Sequence, residues 1–391
     1  MTRHHVSLSS CELSIDHDAV RMPPRPVVLR HESYEDDFDF TTLFYDCFWN
    51  ARHDAVILVG PPSCNLPQDL DLTIYAYPSG AHCERQIMGS ASLSRAVAEV
   101  PADTTALVFQ AGKNAFYVTP QPNLGSLFED RRVITTINKN NEIQWIRDWI
   151  QFYRKKHGCN GVLLYDNEST LYSIADLYDA LTEDSAEIPI VIIPWNFKWG
   201  VFDFRRSVSY LMADGSYCQK GMLEHARWRF LRDSKSVVNV DIDELVITEN
   251  GSSVFDIAET SPTGLIILEG KWVENYPPTT SSTDMRRHKD FGYVERCAAG
   301  CEPKWAVVPH KVPDAAQWFV HFIYGMSASE PERRAEIRHF KALNTNWSLD
   351  RARSTHVRTV GSLLKVEKLY RDPILQAALN DVFVTEVMAP S

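Results

Sequence analysis

The sequence predicts an α/β protein built around a mostly parallel β-sheet, with a smaller β-rich domain before it. From about residue 131 to residue 247, short runs rich in Val and Ile alternate with longer segments whose apolar residues recur every three or four positions. Strands and helices that alternate in this way form βαβ units, which place their strands in parallel. Before this region, short β-rich runs are separated by clusters of Pro, Gly, Asn and Ser, as in a small sheet.

The elements of the alternating region follow one another in a simple order. They are a strand at RRVITTIN, a helix at NEIQWIRDWIQFYRKKHG, a strand at GVLLYDN, a helix at STLYSIADLYDALTED, a strand at IPIVIIPW, a helix over about 217–233 and a strand at VVNVDIDELVI. In the first helix, Ile146, Trp149, Ile150 and Tyr153 share one face, which indicates burial against the sheet. Gly158 supplies the stop signal at its C-terminus.

The same pattern of strand, helix and turn segments divides the chain of 391 residues into four parts. Residues 1–30 form a polar tail, and residues 31–128 form an N-terminal accessory domain of unknown role, with strands expected at AVILVG, LTIYAY, TALVFQ and AFYVT. Residues 129–350 form the main α/β domain, and residues 351–391 form a C-terminal helical extension.

Bulk composition narrows the class of function. The formal net charge is −11, whereas proteins that bind nucleic acid usually have a basic balance, so nucleic acid is not an expected partner. The eight cysteines are scattered, which indicates free thiols in a reducing compartment. The first residues lack the apolar core of a signal peptide, and no apolar run reaches the length of a transmembrane helix. We therefore expect a cytoplasmic protein without a transmembrane segment, and contact with a membrane surface or a partner enzyme is left open.

The apolar run VVNVDIDELVI contains an acidic cluster that needs a positive partner. On a regular strand Asp241 and Asp243 point to the same side, where two ionised carboxylates repel each other and are costly to bury. Mg²⁺ or Mn²⁺ would neutralise them and would also bridge the phosphates of a nucleotide. The competing interpretation is a surface turn whose acids pair with Arg or Lys. Glu244 is either a further ligand or a residue that orients nearby basic groups.

Several segments, in this order, resemble a group of GT-A glycosyltransferases. VITTINKNNEIQWIRDWIQFYRKKHGCNGVLLYDNEST is similar to their opening block, and QKGMLEHARWRFLRDSKSVVNVDIDELV is similar to the helix and D-x-D-E strand of their second block. PKWAVVPHKV, VHF and RHFKALNTNW resemble their C-terminal elements. The resemblance is to glycosyltransferase family 92 and related family-2-like enzymes, over about residues 131–350. It implies a GT-A fold, in which a Rossmann-like, mostly parallel sheet is flanked by helices.

The resemblance also implies a nucleotide-sugar donor, with a UDP-sugar favoured. The acidic pair would hold the metal against the diphosphate of this donor. The nucleotide pocket would be lined by Thr135, Lys139, Glu142, Asp166, Asn167, Arg227 and Asp241. Asp166 and Asn167 equally suit a turn or a helix cap. Arg227 and Arg229 lie two apart on a helix, so at most one of them points inward.

The resemblance further implies a histidine in the metal shell and inversion at the anomeric carbon. His321, in WFVHF, is the first candidate ligand and His339, in RHF, is the second, although a histidine between apolar residues is more often a core residue. Inversion requires a carboxylate that takes the proton from the acceptor hydroxyl. The candidates after the acidic cluster are Glu269, Glu274, Asp284 and Asp290. Glu269 is favoured, because burial at the end of an apolar strand would raise its pKa.

The sequence thus predicts a metal-dependent, inverting glycosyltransferase that acts on a glycan or glycoconjugate acceptor, as in polysaccharide biosynthesis. Trp272, Tyr276 and Trp318 are candidates for stacking on acceptor sugars, with a place in the core as the alternative. Two other classes of function stay open: a nucleotidyltransferase or other metal-dependent enzyme of phosphate transfer, and a non-catalytic sugar-binding scaffold. A nucleotidyltransferase usually has a Gly-rich phosphate loop after the first strand, and ITTINKNNE has none.

Overall fold

The structure is a computed structural model of the chain. It describes residues 6–13, 20–66, 72–90, 93–111, 114–183, 185, 187–201, 214–276, 286–296, 298–327, 332–343 and 369–383.

The described residues form strands and helices in the following chain order. The strands are β1 (Cys11–Glu12), β2 (Thr42–Phe44), β3 (Asp46–Trp49), β4 (Ala55–Gly60), β5 (Leu72–Tyr77), β6 (Arg85–Ser90), β7 (Leu93–Glu99), β8 (Ala106–Ala111), β9 (Asn114–Val118), β10 (Arg132–Asn138), β11 (Gly161–Asp166), β12 (Ile190–Pro194), β13 (Ser236–Asn239), β14 (Glu244–Thr248), β15 (Leu265–Val273), β16 (Tyr293–Glu295), β17 (Cys301–Val307), β18 (Gln317–Trp318), β19 (Ile323–Tyr324), β20 (Ala335–Phe340) and β21 (Leu369–Arg371). The α-helices are α1 (Tyr34–Asp37), α2 (Ile143–His157), α3 (Ile174–Glu183), α4 (Tyr217–Ala226), α5 (Val254–Thr260) and α6 (Pro373–Phe383). A π-helical turn at Arg227–Leu231 continues α4.

The largest sheet in the described part of the chain has ten strands. Eight of them lie in the order β12-β11-β10-β13-β17-β15-β16-β21, and β20 joins β15 to β14. Strands β12, β11, β10 and β13 are parallel neighbours, as the βαβ pattern predicts. The pairings set seven strands in one direction and leave β14, β16 and β17 in the opposite one. The sheet is therefore mostly parallel, within an α/β chain.

Alternating side chains of these strands enter two different cores. On one face, Ile134 and Val162 pack in a cluster with α2, α3, α5 and α6. On the other face, Val133 and Leu163 pack in a cluster with α4. Helix α2 ends where Gly158 adopts a left-handed conformation with φ +69°, as the sequence predicts. The two clusters make the sheet the middle of three layers, which fixes the strand ends relative to the helices.

The N-terminal part forms two smaller sheets, β3-β4-β7-β6 and β5-β8-β9. Tyr45, Phe48, Ile57 and Val59 belong to the same hydrophobic cluster as the α4 face of the large sheet. Gly221 in α4 allows this contact, because a Cβ there would lie 2.4 Å from the ring of Tyr45. The N-terminal strands therefore pack directly on the helix that precedes the acidic cluster. The four-part division of the chain into domains stays a prediction.

The acidic segment differs from its prediction. We predicted one strand through residues 236–247, but β13 ends at Asn239 and β14 begins at Glu244. Strand β14 leaves β13 and pairs instead with β20. The alternation of apolar residues continues through the break because Val240 and Ile242 are both buried, so the period of the pattern does not reveal it.

The cysteines, the lengths of the helices and the C-terminal residues can be compared with what the sequence predicts. The seven cysteines in the described part of the chain are free thiols, and Cys297 lies outside that part. None of the described helices is long and apolar enough to cross a bilayer. The described residues after position 350 contain α6 and also β21, which pairs with β16.

Candidate functional site

Polar residues collect at the carboxyl edge of the parallel strands. Asn138 ends β10 and Asp166 ends β11, and Asn138 Nδ2 donates to Asp166 Oδ2 at 2.6 Å. The acidic turn follows β13, which pairs with β10 on its other side. Three loops that are remote in sequence therefore meet at one edge, which is where open α/β sheets bind ligands.

The acidic turn consists of residues 240–243, between β13 and β14. The main-chain N–H of Asp241 donates to Glu244 Oε2 at 2.9 Å, and the N–H of Glu244 donates to the carbonyl oxygen of Asp241 at 3.0 Å. These two bonds close the turn around buried Ile242. Asp241 and Asp243 thus protrude from a fixed turn rather than from one face of a regular strand.

Two basic side chains of the protein meet these acids. Lys304 Nζ lies 2.7 Å from Asp241 Oδ2 and 3.7 Å from Glu244 Oε2. His339 Nε2 lies 3.1 Å from Asp243 Oδ2, and its Nδ1 lies 3.3 Å from Glu244 Oε1. The side chains of Lys304 and Glu244 are 1% exposed, whereas Asp241 is 35% exposed and Asp243 is 16% exposed. The cations thus occupy the buried side of the turn, and the two aspartates keep a side that solvent reaches.

Burial and charge shift the pKa values of this group in opposite directions. Burial lowers the pKa of Lys304, but the carboxylates of Asp241 and Glu244 outweigh it, and the pKa is raised overall. Burial also opposes the charge of His339, yet Asp243 raises the pKa of that imidazole well above its usual value. Burial raises the pKa of Glu244 to about 7, and Lys304 only partly offsets this. Both cations are therefore charged near neutral pH, and Glu244 carries the proton that the group can most easily exchange.

A metal ion would need ligands beyond those the described residues bring together. No three Asp, Glu, His or Cys side chains among the described residues are placed to hold an ion between them. Among the described residues, the Thr136 hydroxyl alone donates to Asp241 Oδ1, at a long 3.4 Å. Mg²⁺ is commonly held by one or two carboxylates and completed by substrate phosphates and water. The pair Asp241 and Asp243 fits a site of that kind and does not form a closed protein cage.

His321 lies in the turn between β18 and β19, not on a strand. Its Nδ1 is 2.8 Å from the carbonyl oxygen of Pro303, which fixes Nδ1 as the donor and leaves the lone pair on Nε2. Burial, followed by the charge of Lys304, lowers the pKa of His321, so the imidazole is neutral near pH 7. The turn is tied to β13, because Asn239 Nδ2 donates to the carbonyl oxygen of Val320 at 2.9 Å. The second histidine candidate, His339, pairs with Asp243 and Glu244 instead.

The predicted nucleotide-binding residues separate into two groups. Asp166 accepts hydrogen bonds from Asn138 and from the N–H and hydroxyl of Ser169, and Asn167 Nδ2 donates to the carbonyl oxygens of Trp195 and Phe197. Both side chains thus hold their own loops, in line with the turn interpretation. Lys139 and Glu142, by contrast, are half-buried and make no side-chain hydrogen bond or ion pair with the described residues.

Thr135 and Arg227 point away from the acidic turn. Thr135 is buried and its hydroxyl has no hydrogen-bond partner among the described residues; the neighbouring Thr136 contacts Asp241 instead. The guanidinium of Arg227 is buried and donates to three main-chain carbonyls, at Val312, Pro313 and Ala316. Arg229 is also buried and pairs with Asp46 at 2.7 Å. Both guanidinium groups are buried and bonded within the chain, so their contacts give no support to the suggestion that one of them faces a diphosphate.

The candidate bases have different surroundings. Glu269 is exposed, contrary to the expectation of burial, because the pairing of β15 with β17 is irregular between Leu268 and Gly270. It makes no hydrogen bond or ion pair with the described residues. Glu274 lies 2.6 Å from Lys341 Nζ, and Asp290 accepts the N–H of Arg287 at 2.7 Å. Asp284 lies outside the described residues.

The three aromatic candidates do not form a common sugar platform. Tyr276 and Trp318 are buried in the core. Trp272 is half-buried and stacks on the ring of His339, with centroids 4.2 Å apart. Its position therefore supports the imidazole that pairs with Asp243.

Lys304 is a site residue that the sequence did not predict, although its segment, PKWAVVPHKV, is part of the family resemblance. The signal was present, because a lysine between apolar residues of a strand is almost never fully buried without a partner. Burial of Lys304 requires a carboxylate, and Asp241 and Glu244 supply it.

Comparison with known proteins does not assign a function to this site. No protein-family model matches the chain, and no curated protein matches it. Among solved structures, the mannosyltransferase Ktr4p from S. cerevisiae is similar over 38% of this chain and 40% of its own, with 12% identity and a TM-score of 0.24. The chain therefore spans less than half of that protein, and so low a likeness assigns neither fold nor activity.

Proposed function

We propose that the protein is a glycosyltransferase of the GT-A type, resembling family 92 and family-2-like enzymes, that uses a nucleotide-sugar donor, with a UDP-sugar favoured. The observation that carries the proposal is the acidic turn at the carboxyl edge of the parallel strands. Asp241 and Asp243 are held from behind by Lys304 and His339 and stay partly exposed in front. A rigid pair of carboxylates at this edge suits a substrate that carries phosphates.

Asp241 and Asp243 would hold Mn²⁺ or Mg²⁺, and substrate phosphates and water, rather than the predicted His321, would complete its shell, because no third side chain among the described residues is placed to join them. The ion would stabilise the charge that develops on the departing nucleoside diphosphate. Lys139 and Glu142, which have no partners among the described residues, would bind the nucleotide at the end of β10. Asp166 and Asn167 would shape that pocket through the loops they hold.

Transfer is proposed to invert the anomeric centre, with a glycan or glycoconjugate as acceptor. Glu269 is the favoured base, because Glu274 and Asp290 are engaged with Lys341 and with a main-chain N–H, whereas Glu269 has no described partner. A carboxylate that is not engaged by a described partner can take the proton of an acceptor hydroxyl.

A donor screen tests the proposal. Thermal shift and donor hydrolysis would be measured with UDP-, GDP-, CDP- and dTDP-sugars, in Mn²⁺ and in EDTA. We expect one nucleotide class to stabilise the wild-type protein in Mn²⁺, with a shift that rises with concentration. Asp241→Asn and Asp243→Asn should abolish the shift, whereas Asp381→Asn should keep it, because that carboxylate lies on the surface of α6 and is 66% exposed.

The products distinguish the other functions. A glycosyltransferase releases a nucleoside diphosphate, whereas a nucleotidyltransferase releases pyrophosphate and a phosphohydrolase releases a monophosphate or phosphate. Binding of sugars without turnover of any donor would indicate a scaffold. A folded wild-type protein that responds to no donor would refute the proposal.

A further inference from the structure

We infer that Lys220, in the first turn of α4, binds a phosphate group of the nucleotide-sugar donor. The inference deepens the proposed function and rests on it. It adds to the site a lysine that is not among the site residues predicted from the sequence.

The first observation is that Lys220 lacks an acidic partner in the part of the chain that the structure describes. Its ammonium makes a long hydrogen bond of 3.5 Å to the carbonyl oxygen of Gly215 and lies 5.6 Å from the centroid of the Phe319 ring. It forms no ion pair with any described residue, although it is half-buried. A half-buried cation without a carboxylate has lost water and gained little in return.

The other charges around α4 behave differently. Asp214, just before the helix, pairs with Arg25 at 2.8 Å, and Glu224 pairs with Arg95 at 3.1 Å. Arg229, just after it, pairs with Asp46 at 2.7 Å. Each of these buried charges is matched within the chain, whereas Lys220 has no counter-charge among the described residues and is available to a ligand.

The position of Lys220 connects it to the acidic turn. The ring below its ammonium, Phe319, belongs to the turn that carries His321. That turn is tied by Asn239 to the end of β13, from which the acidic turn starts. Lys139, just after the end of β10, is a second cation that makes no ion pair with the described residues. The described carboxylates thus leave two ammonium groups for an anionic ligand.

The lowered pKa of the Lys220 ammonium agrees with a role in binding phosphate. Burial lowers its pKa to about 8. A bound phosphate would restore the missing counter-charge and raise that pKa again. An anion of this kind also gains from the N–H groups of the first turn of a helix.

The test compares Lys220→Gln, Lys220→Arg and the control Lys235→Gln. Lys235 lies just before β13, at the opposite end of the strand from the acidic turn, and pairs with Glu259. Binding of UDP, GDP, CDP, dTDP and inorganic pyrophosphate would be measured by calorimetry, in Mn²⁺ and in EDTA. We expect Lys220→Gln to weaken binding of the preferred diphosphate by about tenfold or more, which is the loss of one hydrogen bond to a charged group. Lys220→Arg should restore most of the affinity, and Lys235→Gln should leave it unchanged.

A stability measurement excludes a structural role. Removal of an unpaired, half-buried charge should leave the melting temperature of Lys220→Gln unchanged or raise it, whereas a lysine needed for folding would lower it. If the wild type transfers sugar but Lys220→Gln binds the diphosphate normally, the inference fails and the proposed function stands. If Lys220→Gln loses diphosphate binding and the wild type transfers no sugar, the inference stands and the transferase proposal fails. If the wild type binds no diphosphate, both fail.

Discussion

The buried contact between Lys304 and the acidic turn makes a quantitative prediction. Its ammonium lies 2.7 Å from Asp241 and 3.7 Å from Glu244. At an effective dielectric constant of about 20, these distances correspond to gross attractions of about 6 and about 4.5 kcal/mol, before the cost of desolvation. Removing one partner of a buried pair typically costs about 3–5 kcal/mol, because the other charge is left without compensation.

We expect Lys304→Met to cost about 3 kcal/mol of unfolding free energy, at the low end of the range for a broken buried pair. Two features of the site limit the cost. Glu244, whose pKa is about 7, can take up a proton, and Asp241 is 35% exposed and keeps contact with water. The double variant Lys304→Met/Glu244→Gln should recover about 1–2 kcal/mol, because it removes the carboxylate that the single variant strands.

Urea unfolding followed by tryptophan fluorescence measures all of these changes. Wild type, Lys304→Met, Glu244→Gln and the double variant complete a cycle from which the coupling energy follows directly. The reasoning is refuted if the two single changes add without coupling, or if Lys304→Met is as stable as the wild type. In either case Lys304 would not be the counter-charge of the acidic turn.

Three other predictions concern regions away from the acidic turn. His157 donates from Nε2 to the carbonyl oxygen of Val246, and burial lowers its pKa to about 4. The unfolded chain therefore binds more protons between pH 4 and 6.5, and the native state should lose about 3 kcal/mol as pH falls through this window. His157→Gln, which cannot titrate, should lack that loss in urea titrations; an unchanged slope would contradict it. Asp46→Asn should cost about 3 kcal/mol or more by the same method, because Arg229 loses its buried counter-charge, and a change below about 1 kcal/mol would contradict this. Gly221→Ala, normally favourable in a helix, should lower the melting temperature, because the new Cβ would lie 2.4 Å from the Tyr45 ring; a gain would show that α4 can shift.

The sequence predicted the regular elements well, and the reason is periodicity. The alternation of strands and helices from β10 to β12 follows from apolar residues that repeat with the spacing of each element. The break at residues 240–243 was missed because Val240 and Ile242 stay buried through the turn. Burial alone, without hydrogen-bond partners, does not distinguish a strand from a turn.

The prediction of the site was limited by partners that are remote in sequence. Asp241 and Asp243 are recognisable as an acidic pair, but Lys304, which meets Asp241, is 63 residues away. The sequence suggests Arg227 as a phosphate ligand, yet its guanidinium donates hydrogen bonds to main-chain carbonyl oxygens 85 to 89 residues further along. Which charges are matched inside the protein, and which remain for a ligand, depends on the tertiary structure.

The attachment of α4 to the N-terminal strands has a consequence for how the sequence of this protein can evolve. His225 and Arg229 meet the buried carboxylate of Asp46, 179 and 183 residues earlier, and Glu224 meets Arg95. The helix that carries Lys220 is therefore positioned by charged residues of the N-terminal strands. Substitutions in the N-terminal sheets that move this helix would therefore also move the residues it carries. Exchange of those sheets between related chains would succeed only if the matching charges were exchanged with them.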